Sequence, residues 1–298
     1  MKKNVRLLLI LLASWLPPGT LGFTYRILCQ PRWLRCIINF CLLKIIPSTI
    51  KLERVSIVIN KKDPVISGAL MFGVYEPLES KLFKKSVKIG QTVIDIGANI
   101  GYYTALAAQE VGNAGKVIAF EPEPDNFFCL KKTIKLNGFT NVECQQLAIS
   151  DQSSSGNLYL SPDNMGDQQI YDNGNKRTTI PIKLTSLDFF LKDYPRTEIN
   201  VIKMDIQGSE GLALKGMFNT LQQNSSIKLF TEFWAKGLTS TGVNPHYFLS
   251  TLKKLGFFLY EICEIKKTTE LITDFNKLIK RTSGNKYTNL FCVRKKYN

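Results

Sequence analysis

One segment limits what this chain can fold into more than any other: VIDIGANIGYYTALAA at residues 93–108. A continuous apolar, β-branched run ends in Asp95, a turn follows through Gly97, Ala98, Asn99 and Ile100, and a helical stretch begins near Gly101. Unbroken apolar runs of this length suit strands covered on both faces by helices. Gly97 permits a tight turn and lets backbone approach a ligand with no Cβ in the way. Gly101 allows the helix to lie close to the strand. In open α/β sheets the carboxyl edge of such a strand borders the ligand crevice.

From about residue 65 the pattern repeats. Strands are expected at 92–96, 116–120, 142–149, 200–205, 227–233, 257–262 and 289–294, and helices at 101–112, 124–137, 208–222 and 244–255. Alternation of this kind predicts an α/β fold with a doubly wound, mostly parallel sheet. The polar stretch 151–198 breaks the rhythm, with a hairpin expected around 157–185 near the strand ends where ligands bind.

The second strand ends VIAFEP, which places Glu121 at its carboxyl end, 26 residues past Asp95. An ionised carboxylate only accepts hydrogen bonds, and its two oxygens match the two hydroxyls of a ribose. A nucleoside site is therefore expected. A dinucleotide would need its pyrophosphate cradled by GxGxxG at this turn, and the turn lacks GxG. Asp95 also puts negative charge where phosphates would lie. That acid suits a cationic ligand, and S-adenosyl-L-methionine carries a sulfonium and an α-amino group.

The net charge is +15, and residues 1–60 supply +8 of it through nine basic residues and one acid. Two apolar stretches, 7–16 and 25–46, accompany this charge. The first is too short to span a bilayer, which takes roughly 20 residues. The second mixes basic groups with Trp33, Leu34, Ile37, Phe40 and Leu43, as an interfacial helix does. Residues 1–60 are thus expected to form a basic, apolar helical extension before a catalytic domain over 61–298. Residues 1–46 either contact an anionic membrane surface peripherally or only cover the domain, with a signal sequence as the third reading. Seven cysteines show no zinc spacing or disulfide framework, which fits a reducing, cytoplasmic compartment. The single histidine, His246, stands in what reads as the first turn of a helix, and chemistry needing two histidines is excluded.

Taken together, these segments resemble the FkbM-type family of class I S-adenosylmethionine-dependent methyltransferases. The resemblance covers roughly residues 65–295 and rests on FGVYEP at 72–77, VIDIGANIGYYT at 93–104, VIAFEPEPDNF at 117–127, LNGFTNV at 136–142, AISD at 148–151, KMDIQGSE at 203–210 and TEFW at 231–234. It implies a Rossmann-like sheet of seven strands, the last antiparallel at 289–294. It also implies that Asp95, Gly97, Ala98, Asn99 and Gly101 surround the methionine moiety, that Glu121 binds the ribose, and that Ser150 or its neighbours border the adenine. Glu76 is placed at the methionine end. The acceptor it implies is a hydroxyl of a sugar, glycan or other natural product. One position departs: the family segment usually reads Lys-x-Asp-x-Glu-Gly, and Gln207 stands in the glutamate slot. A glutamine cannot serve as a base.

A neutral hydroxyl must lose its proton during attack, and with one histidine the available bases are carboxylates at strand ends. Asp205 is the first choice and Glu232 the second; a helix N-cap is the alternative role for Asp205. Glu210 reads as decoration of its helix's first turn. No metal ligand is assigned, although Asp205 and Glu232 sharing a divalent cation stays open. Two other functions also stay open: a nicotinamide-dependent dehydrogenase, and a membrane-surface binding protein with an inactive methyltransferase-like domain. No nucleic-acid partner is expected, since no DPPY- or NPPF-type tetrapeptide is present.

Overall fold

The computed structural model describes residues 44–161, 166–172, 174, 176–195 and 197–297, together with Ile37, Ile38 and Phe40. Thr49–Leu52 (β1) and Val55–Val58 (β2) pair antiparallel. Ile50, Val55 and Ile57 are buried in the apolar cluster that also holds Val93, Val117 and Phe230. Within the stretch expected as a helical extension, residues 49–58 therefore form a β-hairpin packed on the domain. Their β-branched side chains suit a half-buried ladder better than a helix. The membrane contact expected over 1–46 falls almost wholly outside the described residues. Among those described, no helix is long and apolar enough to cross a membrane. Pro64–Met71 (α1) and Pro77–Ser86 (α2) come next.

The alternating part runs Thr92–Ile96 (β3), Tyr102–Val111 (α3), Lys116–Phe120 (β4), Pro124–Leu136 (α4) and Val142–Gln145 (β5). Ala148–Ile149 (β6), Ser154–Leu160 (β7), Thr178–Thr185 (β8) and Leu187–Phe190 (α5) form the interruption. The chain then resumes with Val201–Met204 (β9), Glu210–Gly216 (α6), Phe218–Gln223 (α7), Lys228–Phe233 (β10), Ala235–Ser240 (α8) and Pro245–Lys254 (α9). Phe258–Cys263 (β11), Thr268–Leu271 (β12), Phe275–Arg281 (α10) and Thr288–Val293 (β13) complete it.

The main sheet has the order β12-β11-β13-β10-β9-β3-β4-β5. Neighbours from β5 through β10 are parallel, and β13 is antiparallel to both β10 and β11. The expected doubly wound sheet with an antiparallel last strand is present. An eighth strand, the short and mostly polar β12, is added at one edge. Strands β3, β4 and β9 are buried on both faces because helices cover both sides. Ile94, Ile118 and Ile202 enter one core cluster, and Val93, Val117 and Val201 the other. The chain leaves β3 toward β4 on one side and later returns to β9 on the other. The crevice therefore opens between β3 and β9, at the topological switch point.

Two expected elements are divided. The strand expected over 142–149 splits into β5 and β6, and β6 pairs with β8 in a separate sheet of order β6-β8-β7. The helix expected over 208–222 breaks between α6 and α7. Gly216 lies against the Ser150 carbonyl oxygen, which would stand 1.9 Å from a Cβ there. The expected hairpin is β7–β8, in register from Ser154 opposite Leu184 to Leu160 opposite Thr178.

Candidate functional site

A cleft lies over the carboxyl ends of β3, β4 and β9, the edge of an open α/β sheet where ligands bind. Its floor includes Gly97, Asn99, Glu121 and Asp205, and its apolar wall includes Phe120, Leu147 and Ile149. Leu158, Gly166, Gln168 and Ile170 close it from the hairpin side, so the polar interruption does sit at the strand ends. A smaller recess adjoins it, lined by Asp95, Ala98, Tyr102, Lys203 and Asp205 among others.

The turn is held by backbone. The N–H groups of Gly97 and Ala98 both donate to the Phe120 carbonyl at 2.9 Å. Gly97 has a φ of +83°, and a Cβ there would meet the Asp205 carbonyl oxygen at 2.0 Å. Asn99 also lies in the left-handed region at φ 52°, a conformation asparagine tolerates. Its side chain accepts the Ile100 N–H at 2.8 Å. Gly101 opens α3 and touches neither recess, its missing Cβ leaving room for Leu130.

Glu121 is buried, and each carboxylate oxygen accepts one backbone N–H: Asn99 at 2.7 Å and Glu123 at 2.9 Å. A carboxylate has about four acceptor sites, so each oxygen keeps one toward the cleft. Burial pushes the Glu121 carboxyl up to about 8, against the pull of those two N–H groups. Asp95 is likewise raised to about 6 by burial, and the Thr104 hydroxyl donates to it at 2.5 Å.

The sequence-expected residues divide by position. Gly97, Asn99, Glu121 and Asp205 border the main cleft, and Asp95 and Ala98 border the smaller recess. Ser150 borders neither: its N–H donates to the Thr185 carbonyl and its hydroxyl to Asp151. Its neighbours Leu147, Ala148 and Ile149 line the cleft instead. Glu76 borders neither recess; it accepts from the Tyr103 hydroxyl at 2.8 Å and from Asn289 at 2.9 Å. Asp205 is not a helix cap, since Ser209 holds that position before α6. Gln207 donates its amide to Asp205 Oδ1 at 2.7 Å. His246 is exposed in the first turn of α9, as expected.

Two groups were missed. Lys203 is 2% exposed and stands beside Asp95 in the β3–β9 ladder. Its ammonium pairs with Glu79 Oε1 at 2.9 Å and lies 4.8 Å from the Tyr103 ring centroid. Burial opposes its charge, but Glu79, Glu76 and Asp205 outweigh that and raise it. A lysine inside the otherwise apolar run VIKM was the available signal. Glu210 is the other. It is fully buried, and its oxygens accept the N–H groups of Ile206 at 3.0 Å and Gly208 at 2.9 Å. It fixes the loop after β9 and is no surface decoration. Glu232 is 4% exposed, and burial, then Asp205 and Glu210, hold its carboxyl well above the usual range.

A doubly wound sheet with an inserted antiparallel strand and an acid-bearing glycine turn at its switch point defines the class I methyltransferase fold. Within that class the chain belongs to the FkbM methyltransferase domain family, whose model matches residues 95–259. Among curated proteins it is similar to hexuronic acid methyltransferase AglP of Haloferax volcanii, 31% identical over 132 residues, or 43% of this chain and 50% of that one. It is also similar to a protein-L-isoaspartate O-methyltransferase of Methanococcus maripaludis, 41% identical over 54 residues, 18% of this chain and 26% of that one. The chain thus spans no more than half the length of these relatives. A solved methyltransferase FkbM from Methylobacillus flagellatus is 15% identical with a TM-score of 0.42, over 87% of this chain and 59% of that one.

Proposed function

We propose that this chain is an S-adenosyl-L-methionine-dependent methyltransferase acting on a hydroxyl of a sugar, glycan or other small molecule. The observation that carries the reading is Glu121, held by Asn99 and Glu123 with acceptor positions left for a ribose diol. Phe120, Leu147 and Ile149 offer an apolar wall for a base ring. Asp95 and Asp205 make the turn acidic, which favours a sulfonium and an ammonium over a pyrophosphate and weighs against a nicotinamide dinucleotide. The bound donor supplies an activated methyl group. The chain's part is to align the acceptor, worth on the order of 7–11 kcal/mol when positioning is good, and to assist loss of its proton. Asp205 is assigned that second role because it borders both recesses. Glu232 borders neither. The relative named for hexuronic acid supports a sugar acceptor.

The test is calorimetric titration with S-adenosylhomocysteine and, in parallel, NADH, followed by incubation of labelled donor with a panel of sugars and sugar acids. Binding of the nucleoside thioether and a product heavier by one methylene are expected. Binding of NADH alone would sink the reading.

For residues 1–46 we propose peripheral contact with an anionic membrane surface, on the strength of the +8 charge over 1–60 and the adjoining apolar runs. Each basic group near such a surface contributes about 1 kcal/mol. Sedimentation with anionic vesicles at low and high salt tests it, because screening removes charge attraction and leaves insertion of Trp15 or Trp33 intact. No binding at either salt would mean that these residues only cover the domain.

A further inference from the structure

The carboxylates of Asp205, Glu210 and Glu232 converge from three elements: the end of β9, the start of α6 and the end of β10. One oxygen from each lies within 4.8 Å of the others. None of the three belongs to an ion pair among the described residues. Lys203 is the only buried lysine among them, and it is already paired with Glu79.

An acid cluster alone could be a solvated surface feature. This one is not, because Glu232 is 4% exposed and its Oε2 is buried with no hydrogen-bond partner. An unpartnered buried acid is costly. Protonation would remove the charge and still leave Oε2 with nothing to bond. The other two acids are oriented by neighbours that leave acceptor positions free. Glu210 accepts one backbone N–H on each oxygen, and Asp205 Oδ1 accepts the Gln207 amide. The loop from β9 to α6 is built around the same point. Gln207 at φ 54° and Gly208 at φ +99° turn it, and the Tyr171 hydroxyl donates to the Gln207 carbonyl at 3.2 Å.

We propose that Asp205, Glu210 and Glu232 hold a divalent cation of the hard, oxygen-preferring kind, magnesium or manganese, beside the acceptor end of the cleft. Carboxylate oxygens with water completing the shell are the donors such ions take. The missing partner of Glu232 Oε2 is then the ion. Because Asp205 borders the cleft as well as the cluster, the ion also gives an acceptor hydroxyl an electrostatic anchor. That role rests on the methyl-transfer reading; the site itself does not.

The test uses the full chain, freed of metal by chelation and titrated with Mn²⁺ under electron paramagnetic resonance. One tightly held Mn²⁺ per chain, displaced by Mg²⁺, is expected. Glu232→Gln should weaken it by about tenfold or more, while affinity for S-adenosylhomocysteine stays within about twofold. If that variant fails to fold, Asp205→Asn, at a partly exposed position, replaces it, with the same loss expected and Mn²⁺ affinity as its only readout. A wild-type chain holding no Mn²⁺, or variants holding it as tightly as wild type, would overturn the cation site. Methyl transfer undiminished in chelator would overturn the ion's anchoring role at the acceptor while leaving the methyltransferase reading standing. Mn²⁺ bound without any S-adenosylhomocysteine binding would support the site and sink that reading.

Discussion

The carbonyl oxygen of Asp205 fills the place that a side chain on Gly97 would need, 2.0 Å from an ideal Cβ. The two loops that build the cleft, after β3 and after β9, are thus in backbone contact. Gly97→Ala would force them apart and also strain a residue at φ +83°. It is expected to cost on the order of 1–3 kcal/mol from the backbone strain alone. Chemical denaturation should show that loss, and calorimetry should show cofactor binding falling with it. A variant of wild-type stability and affinity would mean that the loops move apart freely.

Glu121 links the end of β4 to the turn after β3 through Asn99. Glu121→Ala removes the two acceptor positions proposed for the ribose and the anchor of that turn. Affinity for S-adenosylhomocysteine should drop by roughly 1.5–3 kcal/mol, the scale of hydrogen bonds to a charged group. Unchanged affinity in a titration would remove Glu121 from the site.

The same carboxyl sets a pH dependence. Its folded value of about 8 lies above the ordinary 4.5. Its contribution to stability is therefore fully present below about pH 4.5 and is lost as pH rises through 8. Ribose hydroxyls donate to the ionised form, so affinity for S-adenosylhomocysteine should strengthen between pH 6 and 9. Glu121→Gln should flatten both trends and leave the free protein more stable than wild type at pH 9. Thermal melts and titrations across that range check it, and parallel curves for the two proteins would refute it.

Lys203 and Glu79 form an ion pair at 2% and 0% side-chain exposure. Removing one member leaves the other charge uncompensated, which typically costs about 3–5 kcal/mol. Lys203→Met should therefore destabilise by about that much, and adding Glu79→Gln should recover part of it. A double-mutant cycle in denaturant measures the coupling. Additive losses would show that the pair is not coupled.

Asp205→Asn preserves size and the Gln207 contact while removing a charge. Turnover on the true acceptor should fall by on the order of a hundredfold or more, with a much smaller loss of donor affinity. Full turnover would leave Asp205 with a structural role only.

The sequence by itself determined the sheet and the turn. Short apolar, β-branched runs such as VIDI and VIAF suit strands sealed on both faces. The positive-φ turn through Gly97 and Asn99 is a local matter of backbone sterics, legible from residue type. Glu121 was legible for the same reason, because the end of a strand fixes where its next side chain points. What followed from contacts between distant segments was not. Gly216, at the end of α6, lies against Ser150, sixty-six residues earlier in the chain, and no local propensity records that meeting. Ser150 turns from the cleft because its backbone pairs with Thr185. Glu210 and Glu232 read as a helix decoration and a lone strand acid until the β9–α6 loop and β10 bring them to Asp205. Lys203 finds its counterion on α2, far from it in sequence. Residue type and periodicity fix what a segment can form alone. Which buried charges meet depends on the packing of the whole sheet, and only the tertiary structure decided it.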